Sequence, residues 1–214
     1  MIPVVVGSSP ISHPTSIMKK FLSSAVCVVL ALHGAAAWGG DRTIPGVRGI
    51  DHIGVTVPDV EQAVAFFQDV VGCKEAFRFG PFMDDKGTFM RDLVNVDPRA
   101  VIKQIVMMRC GQGSNIELFQ YSAPEQRTEE PKNSDYGGHH IAFYVKDIEA
   151  AVGKARADGL TTFMGPFPIK EGPASGQTIT YVLTPWGMHI ELISYPKGMA
   201  YEKSAKTRLW APGR

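Results

Sequence analysis

This chain has no surplus of either charge: 22 Lys and Arg stand against 21 Asp and Glu, a formal net charge of +1 over 214 residues. No basic excess and no basic cluster leave no electrostatic footprint for nucleic acid. Long apolar runs are missing as well. The one candidate, Phe21 to Leu32, is too short to anchor comfortably across a bilayer. No Gly-x-Ser-x-Gly elbow presents a nucleophilic serine. The stretch "GQGSN" from Gly111 lacks the third glycine of a phosphate loop and reads as a hairpin turn. With 44% hydrophobic and 20% charged residues, the chain has ordinary globular core material and is neither disordered nor membrane-spanning throughout.

The N-terminus reads as a targeting segment. "MKKFLSSAVCVVLALHGAAAWGG" places two lysines before the apolar run and small residues at Ala35 to Ala37 after it, the layout of a secretory signal peptide. Residues 1–37 are therefore expected to be removed, with translation starting at Met18 and the mature protein secreted or periplasmic. An uncleaved N-terminal anchor is the alternative. Val26 before Cys27 does not make a lipoprotein box.

An internal repeat organises the rest. "DHIGVTVPDVEQAVAFF" aligns with "HHIAFYVKDIEAAVGKA", matching His52 to His140, Ile53 to Ile141, Asp59 to Asp147 and Glu61 to Glu149. "RFGPF" at Arg78 to Phe82 recurs as "FMGPF" at Phe163 to Phe167, and "NIELFQY" recurs as "HIELISY", matching Glu117 to Glu191. His139 takes the place of Asp51, so the register selects His140 from the adjacent pair. Residues 49–123 and 136–196 thus form two modules, followed by a tail over 197–214.

Each module reads as strand, helix, then three strands. Ile53, Val55 and Val57 alternate with His52, Gly54 and Thr56, which implies one buried and one wet face. Asp59 caps a helix striped by Val60, Val64, Phe67 and Val71 and stopped at Gly72; Asp147, Ile148, Ala151, Val152, Ala155 and Gly159 repeat the pattern. Each helix covers the apolar face of its strand. Ile116, Leu118, Ile190 and Leu192 point to the covered side, which leaves His52, Glu117, His140 and Glu191 on uncovered faces.

Paired βαβββ modules with His opening each first strand and Glu in each last strand resemble the vicinal oxygen chelate superfamily of glyoxalase I, methylmalonyl-CoA epimerase, extradiol dioxygenases and bleomycin-resistance proteins. The resemblance covers roughly Gly49 to Pro196. It implies an α+β fold whose two tandem modules pair their curved mixed sheets into a metal-binding cup, with His52, Glu117, His140 and Glu191 as ligands. Two imidazoles and two carboxylates suit a divalent Zn, Ni, Co, Mn or Fe ion better than Cu(I) or Ca.

Such an ion stabilises an enediolate or enolate, and Glu117 or Glu191 then moves the proton. The expectation is a metal-dependent lyase or isomerase of the glyoxalase or epimerase type. It would take a small oxygenated substrate, with no nucleic acid partner and with a homodimer as an admissible assembly. The alternatives are an extradiol dioxygenase, against which the fourth ligand counts, and a non-catalytic drug-binding resistance protein. A secreted location argues against coenzyme A thioesters.

Three features stand apart. His189 shares the face of Glu191, as an acid/base group, a partner of the ligands or a rim residue that binds nothing. Met83 to Ala100 is surplus chain in the first module, either folded over the cup with Arg91 or Arg99 meeting anions or solvated. In modules of the resembled kind the second and third strands are antiparallel neighbours, so a Cys73–Cys110 bridge is geometrically feasible; two free, separately buried thiols are the alternative.

Overall fold

The structure is a computed structural model that describes residues 44–212. The proposed signal segment lies outside the described residues. The chain divides between Val47 and Arg48, and both modules fall in the second unit.

In the first module, β1 (His52–Thr56) leads into α1 (Val60–Phe66), then β2 (Lys74–Phe79), α2 (Phe89–Val94), β3 (Val101–Arg109) and β4 (Asn115–Ser122). The second runs β5 (His140–Tyr144), α3 (Ile148–Ala157), β6 (Phe167–Pro168), β7 (Thr178–Leu183) and β8 (His189–Ser194). The sheets have the orders β1-β4-β3-β2 and β5-β8-β7-β6. In each, the first strand lies parallel to the last and the others run antiparallel. This is the α+β arrangement of two tandem βαβββ modules expected from the sequence.

The helix starts follow the capping residues. Asp59 Oδ1 accepts from the backbone N–H of Glu61 and Gln62, and Asp147 Oδ1 accepts from that of Ala150, satisfying donors that have no partner inside the helix. The first helix departs from a plain α-helix by continuing through a π-helical turn, Phe67–Val71, before Gly72 stops it at φ 84°. Consecutive residues of an α-helix diverge by about 100°; the wider turn accompanies burial of both Phe66 and Phe67, at 5% and 0% exposure. Their rings contact Trp186 at centroid separations of 5.5 and 6.2 Å, and Phe67 lies 6.5 Å from Phe143. Both modules therefore contribute to one core, with Val55, Met108 and Leu118 from the first and Val182, Met188 and Ile190 from the second.

The surplus chain of the first module is not a solvated loop. Residues Phe89–Val94 form α2, and its fully buried Met90 joins Ala100, Ile102 and Ile105, with Phe119 and Tyr121 packed alongside. Ile105 pairs with Phe119 and Ile102 with Tyr121, residues that alternate onto the same face as Glu117. The insertion thus covers the far end of the face left open by α1.

Cys73 and Cys110 form a disulfide with a Cα–Cα separation of 4.3 Å. They sit just beyond the Lys74–Arg109 pairing that ends the β2–β3 ladder, where the strand order puts the start of one against the end of the other. Among the described residues no helix is long and apolar enough to cross a membrane.

Candidate functional site

Strand register brings each histidine to its glutamate. β1 pairs His52 with Asn115 and Gly54 with Glu117; β5 pairs His140 with His189 and Ala142 with Glu191. Alternation on parallel neighbours puts His52 and Glu117 on one face, and likewise His140 and Glu191. His52 Nε2 lies 3.1 Å from Glu117 Oε2, and His140 Nε2 lies 3.0 Å from Glu191 Oε2. The carboxylates are the deeper partners. Their side chains are 16% and 11% exposed, against 41% and 37% for the imidazoles.

The environments of the two pairs differ. His52 Nδ1 meets Asp51 Oδ1 at 2.8 Å, and this hydrogen bond, with the charge of Glu117, raises the imidazole pKa. His139, which replaces Asp51 in the repeat, instead places its Nδ1 3.1 Å from the Gly137 carbonyl oxygen. In the second module Tyr181 lies opposite Glu191 and stands edge-on to His140 at 5.3 Å. Burial, then the charge of Glu191 and a hydrogen bond to it, raise the Tyr181 phenol pKa. The phenol therefore keeps its proton and donates a hydrogen bond to Glu191.

Tyr181 and Asp51 are the site residues that sequence reasoning missed. Asp51 is visible as the acidic neighbour of His52. Tyr181 becomes visible only once the register of the β7–β8 hairpin is drawn. His189 shares the face of Glu191, as expected. Its ring lies nearly parallel to Phe163, at 12° and 5.7 Å, and its Nδ1 is buried without a hydrogen-bond partner among the described residues. Arg91 and Arg99 each pair within their own segment, with Asp92 at 3.0 Å and Asp97 at 2.9 Å.

The structure thus assembles two His–carboxylate pairs, one per module. Their two nitrogens and two oxygens are the right donor types for a divalent transition ion. Among the described residues, however, no group of three or more His, Cys, Asp or Glu is gathered into a geometry that holds a metal. The expected four-ligand cluster is therefore present as two halves.

Residues 51–181 match the model of the Glyoxalase/Bleomycin resistance protein/Dioxygenase superfamily. The chain is 42% identical over 172 residues to a 2-epi-5-epi-valiolone epimerase from an Actinomyces species, an alignment spanning 80% of this chain and 92% of the relative. Its fold is similar to that of a glyoxalase family protein from Bacillus cereus, with a TM-score of 0.54 at 17% identity, covering 71% of this chain and 98% of the other. A weaker likeness, TM-score 0.47 at 18% identity, links it to the trypanothione-dependent glyoxalase I of Leishmania major, over 74% of this chain and 93% of that one.

Proposed function

This chain belongs to the glyoxalase/bleomycin resistance protein/dioxygenase superfamily, and from that premise we propose that it is an epimerase-type isomerase. It would move a proton at a carbon next to the carbonyl of a small hydroxylated ketone. The observation that carries this reading is the duplicated His–carboxylate pair. Inverting a carbon centre needs one base to take the proton and an acid to return it to the other face, and two modules bearing the same pair offer both roles. The epimerase relative, at 42% identity, supports the same reaction class.

In this reading one carboxylate, Glu117 or Glu191, accepts the proton from the carbon while its neighbouring imidazole holds it in place. The other, protonated, carboxyl group returns a proton to the opposite face, leaving the product inverted and the total proton count unchanged. His52, with Asp51 behind it, and His140, beside Tyr181, keep the two carboxylates oriented. A divalent ion of the Zn, Ni, Co, Mn or Fe class, held by His52, Glu117, His140 and Glu191 when the two pairs converge, would supply Lewis-acid polarisation of the substrate carbonyl. The disulfide supports a secreted or periplasmic location, because such bonds persist in oxidising compartments.

Incubation with 2-epi-5-epi-valiolone in D2O tests the reaction. NMR is expected to show inversion of one centre together with incorporation of one deuterium there. Inversion without exchange, or consumption of oxygen with a catechol in place of exchange, overturns the reading. Metal analysis of the purified protein is expected to find about one tightly held divalent ion per chain, and a metal-free protein of full activity removes the ion from the scheme.

A further inference from the structure

We propose that the open face of the second module carries a subsite for a ring-sized apolar group of the substrate, so that the site favours hydroxyketones that carry such a group beside the oxygenated carbon. The inference rests on the proton-transfer reading above and names the substrate class of that same site. An open cleft of about 400 Å³ lies there, walled by Phe163, Met164, Phe167, Ile179, Tyr181 and His189. Phe163 and Phe167 are each 46% exposed and Met164 is 78% exposed. Apolar side chains that border a concavity and face water gain by being covered.

The polarity of the cleft is graded. Its inner end is Tyr181, whose phenol donates to Glu191, and Glu191 in turn contacts His140 Nε2 at 3.0 Å. Its outer end is Phe163, Met164 and Phe167. A ligand that fits both ends has its oxygenated carbon inside and its apolar group outside.

Two of the polar side chains of the cleft, Thr180 and Tyr181, are already engaged. Thr180 donates through Oγ1 to the Met164 carbonyl at 3.2 Å, and the Tyr181 phenol is committed to Glu191. Asn133 and His189 are the other polar side chains of the lining. His189 belongs to the wall in this arrangement. It stacks on Phe163 at 12° and stands 6.5 Å from Tyr181 at 75°, and with its Nδ1 unpartnered it is ring packing that orients it. The first module has no copy of this surface, since Met107 lies opposite Glu117 where Tyr181 lies opposite Glu191, and Asn115 lies opposite His52 where His189 lies opposite His140.

The test compares two α-hydroxyketones, 2-hydroxyacetophenone and dihydroxyacetone, on the full chain labelled with 13C at its methionine methyls. The aryl ketone is expected to shift the Met164 methyl resonance saturably, with at least tenfold higher affinity than dihydroxyacetone. Phe163→Ala and Phe167→Ala should each weaken that binding about tenfold; both side chains are half-exposed, so both variants are expected to fold. A Met164 methyl that ignores the aryl ketone, or equal affinity for the two ketones unchanged in both variants, overturns the subsite. Solvent deuterium exchange separates this from the functional reading. Exchange lost in Glu191→Gln while aryl-ketone binding persists supports both. Aryl-ketone binding with no exchange by the wild-type protein supports the subsite and sinks the proton-transfer reading alone.

Discussion

Across the β3–β4 ladder Glu117 faces Met107; across the β7–β8 ladder the matching Glu191 faces Tyr181. The two modules keep the same His–carboxylate pair on the same strands at nearly the same distance, 3.1 and 3.0 Å, yet surround it differently. The first backs its histidine with the Asp51 carboxylate and roofs the far end of its face with Met90 of α2. The second ties its carboxylate to a phenol and leaves an aromatic cleft open beside it. The difference teaches that the pair is held by strand register, which duplication preserves, whereas its surroundings come from side chains free to diverge. In the proposed reaction the shared pair carries the chemistry and the unshared neighbours carry selectivity.

The comparison breaks most sharply at the carboxylates. Glu117→Gln and Glu191→Gln are each expected to lower kcat for epimerisation by about 10²- to 10⁴-fold, the usual contribution of a positioned acid or base. If steady-state kinetics show one variant at wild-type activity, the modules are not equivalent partners and that carboxylate leaves the mechanism. The next effect concerns stability. Reducing the Cys73–Cys110 bridge releases a loop with a sequence separation of 37 residues and should cost about 3–4 kcal/mol by the chain-entropy argument. Hydrogen exchange should then quicken in β2 and β3 before β7 and β8; equal acceleration in both sheets would show that the bridge acts on the whole chain.

Tyr181→Phe is expected to cost about 1.5 kcal/mol, roughly tenfold in kcat, through loss of a hydrogen bond to a charged group. Met107→Leu in the first module should change kcat less than about twofold, and similar losses in both variants would dissolve the distinction between the two sites. The smallest effect lies in Arg78, which pairs with Glu61 and Glu75 at 2.5 and 2.6 Å. Its hydrogen bond to Glu75 lowers that carboxyl's pKa, so the contribution is present above the unfolded carboxylate value of about 4.3. It fades as the pH falls through the lower folded value. At this partly exposed site it amounts to about 1 kcal/mol or less. Acid titration of stability in Arg78→Met against wild type should show the gap narrowing toward low pH; a constant gap would mean that Arg78 acts by packing.

Much of this was legible in the sequence because two periodicities ran together. Strand alternation and the repeat placed His52, Glu117, His140 and Glu191 on the uncovered faces, and Asp59 and Asp147 announced the helix starts. What stayed hidden depends on cross-strand neighbours or on packing. Tyr181 lies ten residues before Glu191 and meets it only through hairpin register. The π-helical turn at Phe67–Val71 answers to Trp186 and Phe143, which belong to the other module. Met90 sits in a stretch rich in Asp and Arg, with no period to mark it as core. Arg91 and Arg99 illustrate the converse: positive charge suggested an anion site, yet each has an aspartate within reach in its own segment.

The bridge between Cys73 and Cys110 also makes the chain mechanically lopsided. The chain's third and last cysteine is Cys27, so the second module has nothing with which to form a crosslink of its own. Stretched from its two ends, the second module can give up its whole contour. The first keeps the 37-residue segment behind the bridge, a hidden length of roughly 120–130 Å at full extension. A force-extension trace would therefore show a total unfolding length short by that amount, and adding a reductant would restore it.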